Sequence, residues 1–251
     1  MTEATQNGLV TLIMAGGKGT RMKSDIAKVL HPLCGRPMIH FTVETAQALG
    51  SERIIVIVGH QAEAVTDELE GYPVEIVEQR EQLGTGHAVM QAQPLLKDFS
   101  GTLLVLAGDT PLIQEGTLRK LCDSHLQQKA AVTILTAIME DPFGLGRIVR
   151  DKNDQVIRIV EEKDATAEER EIKEINSSIY CFDSPLMFDA LMKIKPDNKQ
   201  GELYLTDTIA ILREAGGWVA GAIADNADDT IGINTVEHLA QADRIMRSRL
   251  G

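Results

Sequence analysis

The fold is decided by residues 9–22, Leu9-Val10-Thr11-Leu12-Ile13-Met14-Ala15-Gly16-Gly17-Lys18-Gly19-Thr20-Arg21-Met22. Residues 9–14 form a short continuous apolar run, which is typical of a strand buried inside a parallel sheet. The glycines that follow let the backbone turn sharply and approach a ligand closely. Because the N–H groups of such loops point toward anions, the stretch predicts a phosphate-binding loop.

Neither of the two familiar phosphate-binding fingerprints fits this loop. A Walker loop counted from Gly16 needs Gly and Lys at the positions of Arg21 and Met22, and a dinucleotide fingerprint counted from Gly17 needs Gly or Ala at Met22. The loop is therefore a different nucleotide loop, or a glycine-rich strand-to-helix turn with surface cations.

Charge favours the nucleotide loop. The chain carries a formal net charge of −12, yet residues 18–36 hold five basic side chains and one acidic one, a local balance of 5 − 1 = +4. A polyphosphate site needs cations beside free N–H groups, whereas a solvated surface usually mixes both signs. The acidic balance of the whole chain argues against nucleic acid or an anionic membrane as a partner, because both require broad basic surfaces.

Composition indicates an ordinary globular protein. The chain has 251 residues, 43% hydrophobic and 25% charged, enough to bury a large core. The chain has three cysteines, Cys34, Cys122 and Cys181, and they form no CxxC pair. Neither a disulfide framework nor a zinc site is therefore predicted. The expected compartment is the reducing cytoplasm. No run approaches the ~20 apolar residues needed to span a bilayer. Residues 1–8 are expected to be a frayed tail.

Apolar runs alternate with amphipathic stretches through the first half of the chain. The predicted strands are residues 9–14, 54–58, 74–77, 103–107 and 132–138. Pro37 suits the start of a helix and Gly50 its end, so that segment is expected to cross back over a parallel sheet. The pattern predicts a doubly wound α/β fold with helices on both faces. Ligands in such sheets collect at the carboxyl ends of the strands, which places the glycine loop and Asp109 in one crevice.

The pattern changes near residue 147. Residues 147–150 and 155–160, separated by a polar turn, predict an antiparallel hairpin. Residues 161–174 are rich in charge and indicate a solvated loop or a short surface helix. Further strands are predicted at 178–182 and 218–224, and helices at 184–193, 204–215 and 236–250.

Eight segments, in order along the chain, resemble the sugar nucleotidyltransferases, and within them the bacterial N-acetylglucosamine-1-phosphate uridylyltransferases. The segments are Ala15-Gly16-Gly17-Lys18-Gly19-Thr20-Arg21-Met22-Lys23-Ser24, Lys28-Val29-Leu30-His31-Pro32-Leu33, Gln82-Leu83-Gly84-Thr85-Gly86-His87-Ala88, Gly108-Asp109-Thr110-Pro111, Gly146-Arg147-Ile148, Val160-Glu161-Glu162-Lys163-Asp164, Glu174-Ile175-Asn176 and Gly232-Ile233-Asn234. Each segment alone is weak, but together they span nearly the whole chain.

The resemblance implies a Rossmann-like nucleotide-diphospho-sugar transferase fold with a small antiparallel sugar-binding insert. It implies a nucleotidyltransferase domain over residues 9–234, with a nucleotide-binding part at 9–140 and a sugar-binding part at 141–234, and then a C-terminal helix at 235–251. The hexapeptide β-helix of the bifunctional members has no counterpart in these residues. The implied reaction joins UTP and N-acetylglucosamine 1-phosphate into UDP-N-acetylglucosamine and pyrophosphate, and no oligomeric state is indicated.

The resemblance also implies roles for individual residues. The nucleotide-binding positions of the family match Met14, Ala15, Gly16, Gly17, Gln79, Gly84, Thr85, Ala107 and Gly108. Arg21 would meet the leaving pyrophosphate and Lys28 would neutralise charge on the phosphates, tasks that suit a guanidinium fork and a point charge. The sugar-binding positions match Gly146, Glu161 and Asn176, with Glu162 as an alternative to Glu161. Asp109 and Asn234 match the Mg²⁺ ligands, and hard oxygens of this kind suit Mg²⁺.

Each of three polar residues also has a purely structural interpretation. Asp109 could form a turn ahead of Pro111, Asn234 could cap the helix that follows it, and Gln79 could be an exposed residue at a strand end. His31 and His87 are expected to be structural, with His87 near a helix start. Met187, Phe188 and Leu191 have helical spacing and are expected in the core.

Three positions depart from the family pattern, and two other functions stay open. Ala107 stands where tyrosine is usual, Ser177-Ser178 where Thr-Gly is usual, and Thr235 is also atypical. Ser177-Ser178 directly follows Asn176, so this departure concerns the expected contacts to the sugar. The alternatives are a related transferase acting on another sugar phosphate, and a non-catalytic module that binds a UDP-sugar.

Overall fold

A computed structural model describes residues 8–250. Residues 1–7 of the frayed tail predicted at 1–8 lie outside this range, whereas Gly8 is joined to the sheet, because its O accepts from Thr102 N at 3.0 Å. The strands are β1 Leu9–Ala15, β2 Pro32–Leu33, β3 Arg36–Pro37, β4 Arg53–Val58, β5 Glu75–Glu78, β6 Thr102–Ala107, β7 Val132–Ile138, β8 Arg147–Arg150, β9 Val156–Val160, β10 Glu174–Asp183 and β11 Val219–Ile223. The α-helices are α1 Met38–Leu49, α2 Ala62–Glu68, α3 Thr85–Met90, α4 Glu115–Gln128, α5 Ala167–Arg170, α6 Ser184–Leu191, α7 Asp207–Glu214 and α8 Val236–Leu250. Short 3₁₀ helices occupy Thr20–Met22, Lys28–Leu30, Gln93–Leu96 and Ala227–Thr230.

One mixed sheet organises the chain. Its order is β11-β7-β10-β6-β1-β4-β5, in which β10 is antiparallel to both of its neighbours and the other six strands run parallel to one another. Strand β8 pairs with β10 and with β9, so the predicted hairpin is an extension of the same sheet. The mostly parallel α/β sheet with an antiparallel insert is confirmed.

The two faces of the sheet carry separate cores. Alternate residues of β1 point to opposite faces: Leu12 packs with residues of α3, α6 and α7, while Ile13 packs with residues of α1, α2 and α4. Helices therefore cover both faces, as the alternating pattern predicts. Met187, Phe188 and Leu191 lie in the first of these cores, as expected.

Some predicted boundaries were wrong. Strand β10 begins at Glu174, four residues before the predicted start, because Arg150 donates to Glu174 at 2.7 Å and thereby allows a carboxylate within the sheet. Helix α7 begins at Asp207 rather than at residue 204. The preceding segment is held extended, since Leu203 donates to Leu83 O at 2.7 Å and accepts from Gly86 N at 2.8 Å.

Helix α8 closes the end of the sheet near the glycine loop. Its Ala242 and Met246 are buried against Met22, Leu33 and Met38 in a third apolar cluster. Within residues 8–250, no helix is both long and apolar enough to cross a membrane. The sheet also brings together two thiols that their spacing did not predict to meet, since Cys122 Sγ and Cys181 Sγ lie 3.5 Å apart.

Candidate active site

A cleft of about 400 Å³ opens at the carboxyl ends of β1 and β6. The structure brings thirteen of the predicted site residues to its walls: Met14, Gly16, Gly17, Lys28, Gln79, Gly84, Thr85, Ala107, Asp109, Gly146, Glu161, Asn176 and Asn234. Parallel strands present their carboxyl ends at one edge, which is why residues so distant in sequence meet there.

Three predicted residues do not line the cleft. Ala15 is buried on the α1 side of the sheet. Gly108 donates its N–H to Met14 O at 2.9 Å, which joins the ends of β6 and β1 beneath the cleft. Arg21 is exposed at the rim, where its Nη2 donates to Asn234 Oδ1 at 2.8 Å.

The glycine loop folds so that Lys28 can reach the cleft. Gly19 is in the left-handed conformation (φ 61°), and a Cβ at this position would lie 2.7 Å from Cβ of Lys28. Only glycine accommodates both the conformation and the close approach. A short 3₁₀ helix, Thr20–Met22, follows Gly19, and the second one places Lys28 opposite the end of β6.

Lys28 joins the predicted metal-ligand residues. Its Nζ forms an ion pair with Asp109 Oδ2 and donates to Asn234 Oδ1 at 3.1 Å. The side chains of Lys28 and Asp109 are only 16% and 14% exposed, so the pair is shielded from bulk water. Arg21 contacts the same Asn234 oxygen. The side chains of Arg21, Lys28, Asp109 and Asn234, which come from the start, middle and end of the chain, therefore form one cluster of two cations and two oxygen ligands.

This donor set fits a hard divalent cation. Asp109 Oδ2 and Asn234 Oδ1 both lie within hydrogen-bonding reach of one cationic atom, Lys28 Nζ. Two oxygens at one edge of a cleft suit Mg²⁺, which usually keeps waters and substrate phosphates in its remaining positions. Among residues 8–250 no group of three or more His, Cys, Asp or Glu side chains is placed so that it could hold a metal.

Part of the basic stretch 18–36 does not serve the cleft. Arg36 pairs with Glu44 and contacts the hydroxyl of Tyr72 at 3.5 Å, away from the glycine loop. The local balance of +4 therefore overstates the charge available to a ligand. Arg21 and Lys28 are the basic residues of this stretch whose contacts place them at the site.

Asp109 lies in the turn after β6, as its structural interpretation predicts, but its carboxylate pairs with Lys28; the structural interpretation of Asn234 was wrong. The turn after β6 is closed by Thr110, whose Oγ1 donates to Ala107 O at 2.6 Å, which leaves the Asp109 carboxylate to face Lys28. Helix α8 is capped by Thr235, whose Oγ1 accepts from His238 N at 3.2 Å. The Asn234 side chain is thus directed at the cluster rather than at the helix.

Gln79 is buried rather than exposed, with 5% of its surface accessible. Its Nε2 donates to Gly84 O at 3.0 Å and contacts His87 Nδ1 at 3.1 Å. Thr85 begins α3, and its Oγ1 accepts from Leu205 N at 3.0 Å. The predicted nucleotide-binding residues Gln79, Gly84 and Thr85 therefore form one hydrogen-bonded wall.

The structure gives the adjacent residues Glu161 and Glu162 different surroundings. Glu161 lines the cleft and accepts from Thr206 Oγ1 at 3.1 Å, and burial raises its pKa above the ordinary range. Glu162 instead accepts from the buried Arg147 at 2.8 Å and from Gly144 N at 3.2 Å. Burial opposes its ionisation, but these hydrogen bonds lower its pKa overall. Glu161 is thus the carboxylate available to a ligand.

Asn176 lies at an irregularity of β10. Its Nδ2 donates to Tyr180 Oη at 2.7 Å and its Oδ1 accepts from Ser178 N at 3.1 Å, which fixes the amide at the cleft wall. The register of β10 against β7 shifts between Asn176 and Tyr180, and Ser178 takes a left-handed φ of 62°. Glycine adopts this conformation without strain, whereas serine carries a Cβ there.

Further cleft residues were missed by the sequence prediction. Gln82 donates Nε2 to Gly16 O at 2.9 Å and so supports the glycine loop. Gln82 belongs to segment 82–88, one of the eight segments that carry the resemblance, and this membership could have identified it as a site residue. Glu202 also lines the cleft, and no local pattern marks it, since it precedes α7 in an extended stretch.

The fold and the sequence both resemble known proteins. A crystal structure of UDP-glucose pyrophosphorylase complexed with UDP-glucose superposes with a TM-score of 0.78 over 96% of this chain and 99% of that one, at 18% identity, a likeness of fold. "Bifunctional protein GlmU" from Syntrophotalea carbinolica is 50% identical over 242 residues, 96% of this chain and 52% of the relative. GlmU from Geobacillus thermodenitrificans is 50% identical over 239 residues, 95% of this chain and 52% of the relative.

The chain spans about half the length of these curated relatives. The family model for nucleotidyl transferases matches residues 10–230, which contain most of the sheet and all of the cleft wall except its last residues. The chain therefore belongs to the nucleotidyl transferase family.

Proposed function

We propose that this chain transfers the uridylyl group of UTP to N-acetylglucosamine 1-phosphate and releases pyrophosphate. The observation that carries the proposal is the contact of Lys28 with both Asp109 and Asn234, in a cleft that Gln79 and Glu161 also line. A base, a polyphosphate and a sugar can thus occupy one continuous cleft. The substrates themselves follow from the eight family segments and from the resemblance to GlmU.

The reaction needs alignment and charge neutralisation more than a protein base. An oxygen of the sugar phosphate, already anionic near neutral pH, attacks the α-phosphorus of UTP in line with the bond to the leaving group. The α–β bridging bond breaks and its electrons leave with pyrophosphate. Lys28 and Arg21 offset the charge that develops on the phosphates, and the N–H groups of the glycine loop orient them.

Asp109 and Asn234 would hold Mg²⁺ through Oδ2 and Oδ1. When bound, Mg²⁺ supplies positive charge to the phosphate oxygens. In the same cleft, Glu161 would accept hydrogen bonds from sugar hydroxyls, and Asn176 and the backbone of Gly146 would contact the sugar or its N-acetyl group.

Pyrophosphate release tests the proposal. The purified chain with Mg²⁺ is assayed with UTP, dTTP and CTP, each paired with the 1-phosphates of N-acetylglucosamine, glucosamine and glucose. We expect the fastest release with UTP and N-acetylglucosamine 1-phosphate. A preference for another sugar phosphate would favour a related transferase. Tight binding of UDP-N-acetylglucosamine without any release would contradict catalysis and favour a binding module.

A further inference from the structure

The side-chain amide of Asn234 has one permitted orientation. Its Oδ1 accepts from Arg21 Nη2 at 2.8 Å and from Lys28 Nζ at 3.1 Å, and both of these partners can only donate. Its Nδ2 lies 3.3 Å from Gly232 O, which can only accept. A turned amide would bring its NH₂ group against two cations, so the oxygen is the atom that faces them.

The peptide unit between Gly232 and Ile233 connects the two residues proposed to hold Mg²⁺. Its N–H, from Ile233, donates to Asp109 O at 2.8 Å, and its carbonyl, from Gly232, accepts from Asn234 Nδ2. A rotation of this unit would therefore move the Asn234 amide relative to Asp109. The spacing of the two oxygen ligands thus depends on how firmly the unit is held.

Helix α8 holds this peptide unit from outside the cleft. His238, in the first turn of α8, places Nδ1 3.2 Å from Gly232 O. Because a carbonyl oxygen can only accept, Nδ1 must carry the hydrogen, and His238 and Asn234 then use the two lone pairs of Gly232 O. Gly232 and Asn234 line the cleft, whereas His238 is not among the described residues of its wall. His238 therefore reaches the site through the peptide unit rather than by touching a ligand.

We propose that His238 is a positioning residue for the divalent cation: by donating to Gly232 O, it fixes the carbonyl that orients the Asn234 amide. Groups that orient a metal ligand in this way change metal affinity when they are replaced. The inference rests on the proposed function, since it requires Asp109 and Asn234 to hold Mg²⁺ beside the phosphates of a nucleotide.

Two substitutions of His238 test the proposal. His238→Asn keeps a donor close to the position of Nδ1, whereas His238→Phe keeps an aromatic ring and removes both nitrogens. Asn and Phe have helix propensities close to that of His, so neither change should weaken α8 by itself. Gln241→Leu, on the exposed side of α8, is the control. The affinity for UTP is measured by calorimetry with Mg²⁺ and with EDTA, and the Mg²⁺ concentration at half-maximal rate by pyrophosphate release.

We expect His238→Phe to lose about fivefold in the UTP affinity measured with Mg²⁺ and to raise the half-maximal Mg²⁺ concentration by a similar factor, the typical effect of one hydrogen bond. Its UTP affinity in EDTA should equal that of the wild type, because Lys28 and the glycine loop are unchanged. His238→Asn and Gln241→Leu should behave like the wild type in every measurement.

The outcomes separate this inference from the proposed function. If Mg²⁺ strengthens UTP binding to the wild type but no pyrophosphate is released, the proposed reaction fails, and the binding data still decide the role of His238. The inference is overturned if Mg²⁺ does not strengthen UTP binding to the wild type, or if His238→Phe keeps the wild-type dependence on Mg²⁺. It is also overturned if His238→Phe loses as much affinity in EDTA, or if His238→Asn loses as much as His238→Phe.

Discussion

Replacing Glu161 or Glu162 by glutamine should separate substrate binding from stability, although the two residues are adjacent. Glu162 neutralises Arg147, whose side chain is 2% exposed, at 2.8 Å, and also accepts from Arg170 at 3.2 Å. Glu161 faces the cleft, and its best-defined hydrogen bond is the one from Thr206. The same chemical change is therefore made in two different environments.

Glu162→Gln should lower the free energy of unfolding because it leaves Arg147 without a counter-charge. An amide can still accept from Arg147, but the buried guanidinium loses its counter-charge, and hydrogen bonds to charged groups are worth about 1.5–3 kcal/mol. We expect a loss of about 2 kcal/mol in the free energy of unfolding, or a Tm lower by about 4–8 °C for a chain of this length. Affinity for the sugar phosphate should change only as far as the loop at Gly144 is disturbed.

Glu161→Gln should show the opposite pattern. Burial raises the pKa of Glu161, so a neutral amide is easier to bury than the carboxylate, and stability should be equal or slightly greater. A charged acceptor for sugar hydroxyls is lost, which should raise KM for the sugar phosphate roughly 10- to 100-fold. KM for UTP should change little.

Urea unfolding and steady-state kinetics on the same preparations provide both readouts. The reasoning is refuted if Glu161→Gln destabilises the protein while Glu162→Gln raises the KM of the sugar phosphate in a fully stable fold. Equal effects of both substitutions on both quantities would also contradict it, because the two carboxylates would then share one role.

Three further substitutions have defined outcomes. Asp109→Asn should lower kcat roughly 100-fold or more and raise the Mg²⁺ concentration needed for activity. The control Asp123→Asn, on the exposed side of α4, should leave both quantities unchanged. An equal loss of activity in both variants would indicate an effect on folding instead. Burial lowers the pKa of His125 to about 4 from 6.5, so only the unfolded chain gains its proton between these values. Stability is full above pH 6.5 and should fall by about 2 kcal/mol between pH 8 and pH 5, a slope that His125→Asn should lose in urea unfolding. Ser178→Gly should stabilise the fold by about 1 kcal/mol, measured as a higher Tm, because a left-handed residue no longer carries a Cβ; a lower Tm would contradict this.

Local patterns predicted the strands that lie deepest in the sheet. Strands β1, β4 and β6 are continuous apolar runs because both of their faces are covered, and α1 ends at Gly50, whose φ of 90° favours glycine. The place of β10 was not predictable in this way. It pairs with β6 and β7, which are separated from it by 66 and 35 residues or more, and no local period encodes such a partner.

The sequence predicted the cleft residues that lie at the carboxyl ends of parallel strands. Asp109 lies one residue beyond Gly108 at the end of β6, so its nearness to the glycine loop follows from parallel topology alone. The burial of Gln79 was not predictable, because it depends on the turn at Gly84 and on the ring of His87. Likewise, Arg36 was counted with the site because it lies close to the glycine loop in sequence, but its pairing with Glu44 was not predictable and holds it elsewhere.

The ammonium of Lys28 explains how such a site remains stable without a ligand. A shielded Asp109 carboxylate with no counter-charge would be costly, and Lys28 supplies that charge within the cluster. An ammonium has three donors, and Asp109 and Asn234 use two of them, so one is available for a phosphate oxygen before Mg²⁺ would take over the two oxygens. Arg21 holds the same Asn234 oxygen from the rim. Phosphate binding can therefore begin on a preorganised set of charges, because side chains from the start, middle and end of the chain already hold one another in position. This preorganisation lowers the reorganisation energy that the transfer step would otherwise require.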